Sequence, residues 1–436
     1  MVVRLGMQPP DDGDLSWHPW HEAEGAEPHG IGAGASSRSR WATPFKRYPR
    51  NDNGTHYFNK HVEKVLFPPA DESDSGRWVC CPDELYIDIG YASGTRSARI
   101  ELLERLSTPI APHRAFGLIH LSLCPSDEED VEDTLSWASA LRSTYLKSAA
   151  PFVMLLRRGD RETPLDDSHP IRQLAGELFG DPGEDLDSHL YTMLMASYPE
   201  HREFKDVKLQ REWRCALATR SYELNEERGH LVDPDKEKAQ SFRIAGETAL
   251  VLRNCTVLTR PGPIDGAAAS NFRSYWSESL VFGLLQELSI EDFQSQLAEL
   301  GPAPHMGKDE ALENLHKAWL SFRNQLWWSQ LSTAEPPQEL LALLRKAQGT
   351  DRLFDELEGD VVTYSDLQHR EVEDRQARAL ANLQVYGSAI AVLSTLGTIY
   401  ALLNAHGALL AVLLVAALLL SLSVLRLVRA KVDRAA

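Results

Sequence analysis

The chain has 436 residues and a formal net charge of −18, a balance that argues against nucleic acid as a partner because phosphate neutralisation needs a basic surface. Its cysteines, Cys80, Cys81, Cys124, Cys215 and Cys255, form no Cys-x-x-Cys pair, which argues against a zinc ribbon or disulfide scaffold and for reduced thiols in a cytosolic domain. The length suits one sizeable α+β domain plus a helical region, or two small domains.

Residues 1–40 are rich in Gly, Pro, Asp, Glu, Ser and His and are expected to form a disordered tail; His18, His21 and His29 lack the fixed spacing of metal ligands. The opening MVVRLGMQPPDDGD has no apolar signal core, so the N-terminal part is expected to stay in the cytosol. An α+β cytosolic domain is expected over 41–268. Tyr57-Phe58 and His61 to Phe67 look ordered, and Arg77 to Cys81 and the alternating Leu85 to Ile89 read as strands. Ala98 to Leu106 fits a strand or a short helix, and Phe116 to Cys124 is the clearest strand. Ser126 and the acids Asp127 to Asp130 lead into a helix over Val131 to Leu146, as caps and first-turn acids do. A divalent cation in that acidic run is the alternative to plain solvation. Pro151 to Arg157, Leu190 to Ser197, Trp213 to Ser221 and Thr248 to Leu258 read as further strands, the last two on either side of a polar loop, Asn225 to Lys238.

The period turns helical from about 269, and a helical region is expected over 269–335. Ser270 to Ser289 places Phe272, Tyr275, Trp276, Leu280, Leu284 and Leu288 on one side, and Ser289 is expected to start a second segment reaching Leu300. A further helix is expected over Lys308 to Leu331, and Pro336-Pro337 opens the next. A long stalk helix is expected over 336–382, broken or kinked near Gly349-Thr350 and running on into the apolar segment behind it. Its polar stretch, Gln368 to Arg378, needs ion-pair support such as Glu371–Arg375 and Asp374–Arg378.

Ala379 to Leu425 contains no Asp, Glu, Lys or Arg. Two apolar runs lie here, 383–403 and 408–428, each about 20 residues, enough to cross a bilayer as a helix. The turn 404–407, Asn-Ala-His-Gly, joins them. The expectation is a transmembrane hairpin; a buried soluble hairpin is the alternative. Arg370, Arg375 and Arg378 precede the first run, and Arg426, Arg429, Lys431 and Arg434 follow or end the second. The positive-inside rule then puts both termini, including a basic tail over 429–436, in the cytosol and the turn outside. Membrane lipid is the expected partner. The expected fold class is an α+β cytosolic domain followed by helical hairpins, a long stalk helix and a C-terminal two-helix transmembrane hairpin.

This order resembles the CorA divalent-cation channel superfamily. Local texture carries the resemblance as well: Arg323-Asn324-Gln325-Leu326-Trp327-Trp328 before the stalk, Leu353-Phe354-Asp355-Glu356-Leu357 in it, and Gly397-Thr398-Ile399-Tyr400 near the end of the first span. The family's Gly-Met-Asn signature is replaced by Ala401-Leu402-Leu403, with Asn404 one place later. The resemblance implies a homo-oligomeric, pentameric channel of the bacterial inner membrane that carries magnesium or another divalent cation, with no organic cofactor. The implied pore lining is Ser388, Ser394, Thr395, Gly397, Thr398, Tyr400 and Asn404. Helix packing by the same small and hydroxylated residues is the alternative. The implied regulatory metal sites are Asp355, Glu356, Glu358, Asp360 and Asp366, acids that would bind divalent ions between subunits and repel one another when the ions leave; a solvated helix face is the alternative.

No Gly-x-Ser-x-Gly, His-Glu-x-x-His, phosphate-binding loop or dinucleotide turn occurs, so an enzyme is not expected. The expected function is a CorA-like channel or transporter with a cytosolic gating domain. A membrane-anchored sensor or effector is the other reading. Its cytosolic domain binds a ligand or partner, and its hairpin anchors or permeabilises the membrane.

Overall fold

The computed structural model describes residues 2–5, 15, 17–19, 58–66, 76–91, 94–108, 111–123, 131–141, 152–165, 169–180, 190–198, 205–219, 240–244, 246–264, 266–272, 276–300, 309–328, 330–332, 334–403, 413, 415–421 and 423. They divide into two units, Met1–Gly301 with Glu313–Glu358, and Pro302–Leu312 with Gly359–Ala436. An α+β region comes first, then a helical region, then an apolar helix.

The first unit is built on an antiparallel sheet. Its strands are β1 (Val2–Leu5), β2 (His18–Pro19), β3 (Gly76–Cys80), β4 (Leu85–Tyr91), β5 (Gly94–Thr108), β6 (Ala111–Leu123), β7 (Phe152–Arg158) and β8 (Arg161–Pro164). The order is β1-β6-β5-β4-β7-β8; β3 also lies on β5, beyond the stretch paired with β4, and β2 lies on β3. Alternation explains the faces. Leu85, Ile87 and Ile89 of β4 are fully buried on one side. On the other, Asp88 accepts from Arg157 of β7 (2.7 Å), and burial of its carboxylate is outweighed by bonds from Arg157 and Ser97, which lower its pKa.

One extra residue decides which side chains meet. The pairing of β5 with β6 shifts between Ile100 and Leu102, leaving Glu101 as a bulge. Before it, Ala98 and Ile100 face the main core; after it, Leu103 does, while Leu102 packs with Val79 on the opposite face. Glu104 is thereby turned to that opposite face, where Arg77 of β3 waits.

A four-stranded second sheet, β9 (Thr192–Ser197), β10 (Ser241–Ile244), β11 (Glu247–Leu252) and β12 (Cys255–Arg260), runs β10-β11-β12-β9, with β9 parallel to β12. The helices accompanying the two sheets are α1 (Lys60–Leu66), α2 (Val131–Ala140), α3 (Pro170–Phe179) and α4 (Val207–Thr219). Leu135, Leu174, Phe179, Trp213, Leu250 and Val257 join Ile87 and Ile100 in one core.

The helical region follows as α5 (Gly266–Asn271), α6 (Ser277–Leu300), α7 (Asp309–Gln325), α8 (Glu335–Gln348) and α9 (Thr350–Leu403). Helix α6 is buried on nearly every side, as a central helix must be. At Gly283 a Cβ would stand 2.5 Å from Leu344 Cδ2, so the glycine is what lets α8 approach.

Several expectations are corrected. Trp213 to Ser221 is not a strand: Trp213–Thr219 ends α4, whose start is capped by Asp206, its Oδ1 accepting from the Lys208 N–H at 2.9 Å. Thr248 to Leu258 is not one strand but the β11–β12 hairpin, folded over Arg253-Asn254. Ser289 starts no new helix; its Oγ donates to the Leu285 carbonyl at 2.7 Å inside α6. Helix α7 stops at Gln325, so residues 326–328 and 330–331 are not helical. Ala98 to Leu106 resolves as strand within β5. Within the expected tail, Val2–Leu5 pairs with β6. The break at Gly349 and the unbroken helix to Leu403 are as expected. The runs 125–130 and 225–238, and the turn 404–407, lie outside the described residues.

Candidate functional site

The site grows from the start of α9. Gly349 takes the left-handed conformation (φ 74°) that favours glycine, and its N–H donates to the Arg345 carbonyl at 2.8 Å, closing α8. Helix α9 begins at the next residue, and two side chains of its first turns pack within the first unit. Phe354 stacks face to face on Trp327, centroids 4.0 Å apart and 2° from parallel, and packs 5.0 Å from Trp319. Glu358 pairs with Arg323 at 3.0 Å.

Arg345 ties this corner together. Its Nε donates to Gln286 Oε1 of α6 (2.9 Å), an Nη donates to the Trp328 carbonyl (2.7 Å), and its guanidinium lies over the Trp327 ring at 4.2 Å. Gln286 in turn donates to the Leu326 carbonyl at 2.7 Å. Leaving the helix at Gln325 exposes carbonyls that these two side chains satisfy. Burial lowers the Arg345 pKa, with Asp351 acting the other way. His61 covers Trp328 at 4.0 Å, and burial lowers its pKa.

In the second unit, Val372–Ala401 is, among the described residues, the one stretch of helix long and apolar enough to cross a membrane, and none of its most apolar window is buried. Leu383, Ile390, Leu393 and Tyr400 are 65–69% exposed. Charges end at Arg378, so the apolar part proper starts at Ala379. Residues 415–421 are helical as well. Between the two lies a cavity of about 280 Å³, lined by Val392, Thr395, Leu396 and Ile399 on one side and Ala417, Leu418 and Ser421 on the other.

The residues expected to line a pore do not share one surface. Thr395 faces the cavity, whereas Ser394 and Thr398, four residues apart, sit together on another face. The four Ser and Thr hydroxyls are bonded within their own helix: Ser388 donates to the Val385 carbonyl (2.9 Å), Ser394 and Thr395 to that of Ala391 (3.1 and 2.6 Å), and Thr398 to that of Ser394 (2.8 Å). No atom stands within 4 Å of a Cβ built on Gly397, Tyr400 is exposed, and Asn404 lies outside the described residues. Of the expected metal acids, Glu356 pairs with Arg352 (2.6 Å) and Glu358 with Arg323, while Asp355, Asp360 and Asp366 are exposed along α9. Among the described residues, no group of three or more His, Cys, Asp or Glu side chains is arranged to hold a metal ion.

The Arg345 corner was not anticipated. Its signal was present: an arginine directly after the leucine-rich run Leu340, Leu341, Leu343 and Leu344, and a glutamine directly after the apolar run Leu280 to Leu285. No family model matches the chain, and neither a curated protein nor a solved structure matches it.

Proposed function

We propose that this chain is a membrane protein whose segments 383–403 and 408–428 form a transmembrane hairpin, and that copies assemble into a CorA-like channel for divalent cations gated by the cytosolic α+β domain. The observation that carries the membrane reading is the apolar helix beyond Arg378, uncharged and outward-facing with no buried residue in its apolar window. In water such a surface would expose large apolar area on every side; in hydrocarbon it costs nothing. The self-bonded hydroxyls agree, since a bilayer offers no water to satisfy them. The channel reading adds the resemblance of element order and of the Gly397-Thr398-Ile399-Tyr400 run.

The second reading, a membrane-anchored effector that opens or anchors only when its cytosolic domain meets a ligand, rests on two particular observations. Ala401-Leu402-Leu403 stands where the family holds its selectivity signature. The hydroxyls of Ser394, Thr395 and Thr398 are engaged with carbonyls of their own helix.

Divalent flux into liposomes carrying the purified oligomer separates the two readings. The channel reading expects steady magnesium, cobalt or nickel uptake that the S394A/T395A/T398A variant abolishes. A folded oligomer that passes no ion sinks constitutive transport and leaves the effector.

A further inference from the structure

The cleft between the two apolar helices of the second unit is walled by hydrocarbon. Val392, Leu396 and Ile399 of α9 face it on one side, Ala417 and Leu418 on the other, and its volume is about 280 Å³. The two remaining wall residues carry hydroxyls, and both hydroxyls are engaged. Thr395 donates to the Ala391 carbonyl (2.6 Å), and Ser421 donates to the Ala417 carbonyl (2.9 Å). A water held in a cavity needs about two to four polar partners, and these walls offer it only the acceptor side of two hydroxyls. Ala379 to Leu425 contains no Asp, Glu, Lys or Arg, so neither wall supplies a counter-charge for a headgroup or a charged solute.

Shape narrows the occupant further. The α9 wall runs from Val392 to Ile399, roughly two turns, or about 10 Å along the axis. Spread over that length, the volume of about 280 Å³ gives a cross-section of roughly 30 Å², against roughly 80–110 Å² for a helix with its side chains. The cleft therefore suits one extended hydrocarbon chain and is too narrow for a helix of a second copy. It is also reachable from outside, because Leu396 and Leu418, one on each wall, are 37% and 44% exposed. Left empty, both walls would forgo the close contacts that fill protein interiors.

We propose that this cleft binds one acyl chain of a membrane lipid, which lies between the two helices and packs against both. The proposal rests on the membrane reading of 383–403 and 408–428. Lipid tails are as apolar as leucine, so helices in a bilayer are held together by close packing and not by the hydrophobic effect. The acyl chain supplies the contacts that the two walls do not make with each other. It disturbs no hydrogen bond, since Thr395 and Ser421 keep theirs to carbonyls of their own helices. The site selects hydrocarbon by shape and is indifferent to the headgroup.

The test is native mass spectrometry of the full chain released from detergent micelles, counting the phospholipid retained per chain. The wild type should retain one, with equal occupancy from phosphatidylcholine, phosphatidylethanolamine and phosphatidylglycerol. Ala417→Phe puts a ring into the cleft and should lower occupancy about tenfold, since roughly ten lost dispersion contacts suffice for that factor. Leu420→Phe, at a 69% exposed site, should leave it unchanged. A wild type that retains no lipid, occupancy that Ala417→Phe leaves unchanged, or retention confined to one headgroup overturns the site. A wild type without lipid whose oligomer dissociates on Ala417→Phe assigns the cleft to a second copy and overturns it too. Should Ala417→Phe not fold, the wild type in nanodiscs decides, with a phosphatidylcholine that carries a photoreactive diazirine midway along its acyl chain. Leu396, Ile399 and Leu418 should be labelled about tenfold more than Leu393 and Leu420; equal labelling overturns the site. Carbonate washing of the source membranes separates the two failures. A chain that resists the wash and binds no lipid loses the acyl site and keeps the span; a chain that washes off loses both.

Discussion

In the first unit Leu85, Ile87, Ile89, Ile100 and Phe322 are fully buried, and even an arginine and two glutamates are sealed from solvent. In the second, Leu383, Ile390 and Leu393 of α9 are about two-thirds exposed. The residue types are the same and the treatment is opposite. The first unit follows the rule for a chain in water, where apolar area is removed by packing and each buried charge is matched. Among its described residues, the second bonds the Ser and Thr hydroxyls of 388–398 inside their own helix and leaves its apolar surface outward, the pattern the proposed membrane span would require. Helix α9 carries both patterns, buried at its start and exposed beyond, without a break.

The comparison breaks most sharply on paired truncations. Phe322→Ala removes a ring packed among Phe293, Trp319 and Phe354 and should cost about 3–5 kcal/mol in chemical unfolding followed by tryptophan fluorescence. Leu393→Ala, at a 68% exposed site, should stay within about 0.5 kcal/mol in the same assay. A large loss at Leu393 would mean that it packs in a protein core and would undo the contrast.

Next in size is the reverse substitution. Leu393→Arg should cost about 3 kcal/mol of membrane insertion and deplete the protein from carbonate-washed membranes. It should leave the secondary structure of the α+β region unchanged by circular dichroism. Full membrane retention would count against segment 383–403 as a span.

The smallest effect probes where the regimes join. Arg345→Ala removes two charge-assisted hydrogen bonds and the contact over Trp327, and should cost about 2 kcal/mol. Arg345→Lys should recover less than half, because an ammonium cannot serve Gln286, the Trp328 carbonyl and the indole face together. Complete recovery would reduce the corner to a point charge.

The sequence by itself determined whatever rests on local pattern. The charge-free stretch from Ala379, the alternation of Leu85 to Ile89, the stop at Gly349 and the uninterrupted helix behind it all follow from spacing and residue type within one or two turns. Local pattern misled where a short window fits both periods: Trp213 to Ser221 alternates like a strand, and only the capped turns before it, from Asp206, disclose a helix. Tertiary structure alone decided the contacts that cross the chain. Arg77 meets Glu278 across 201 residues, and Arg345 meets Gln286 across 59. The bulge at Glu101 belongs to the same class. Nothing in β5 alone marks that residue as unpaired, yet its extra length turns Glu104 toward Arg77 and His120 instead of into the apolar core. Pairing register is set jointly by both strands and the faces they bury, and so it exists only once the chain has folded.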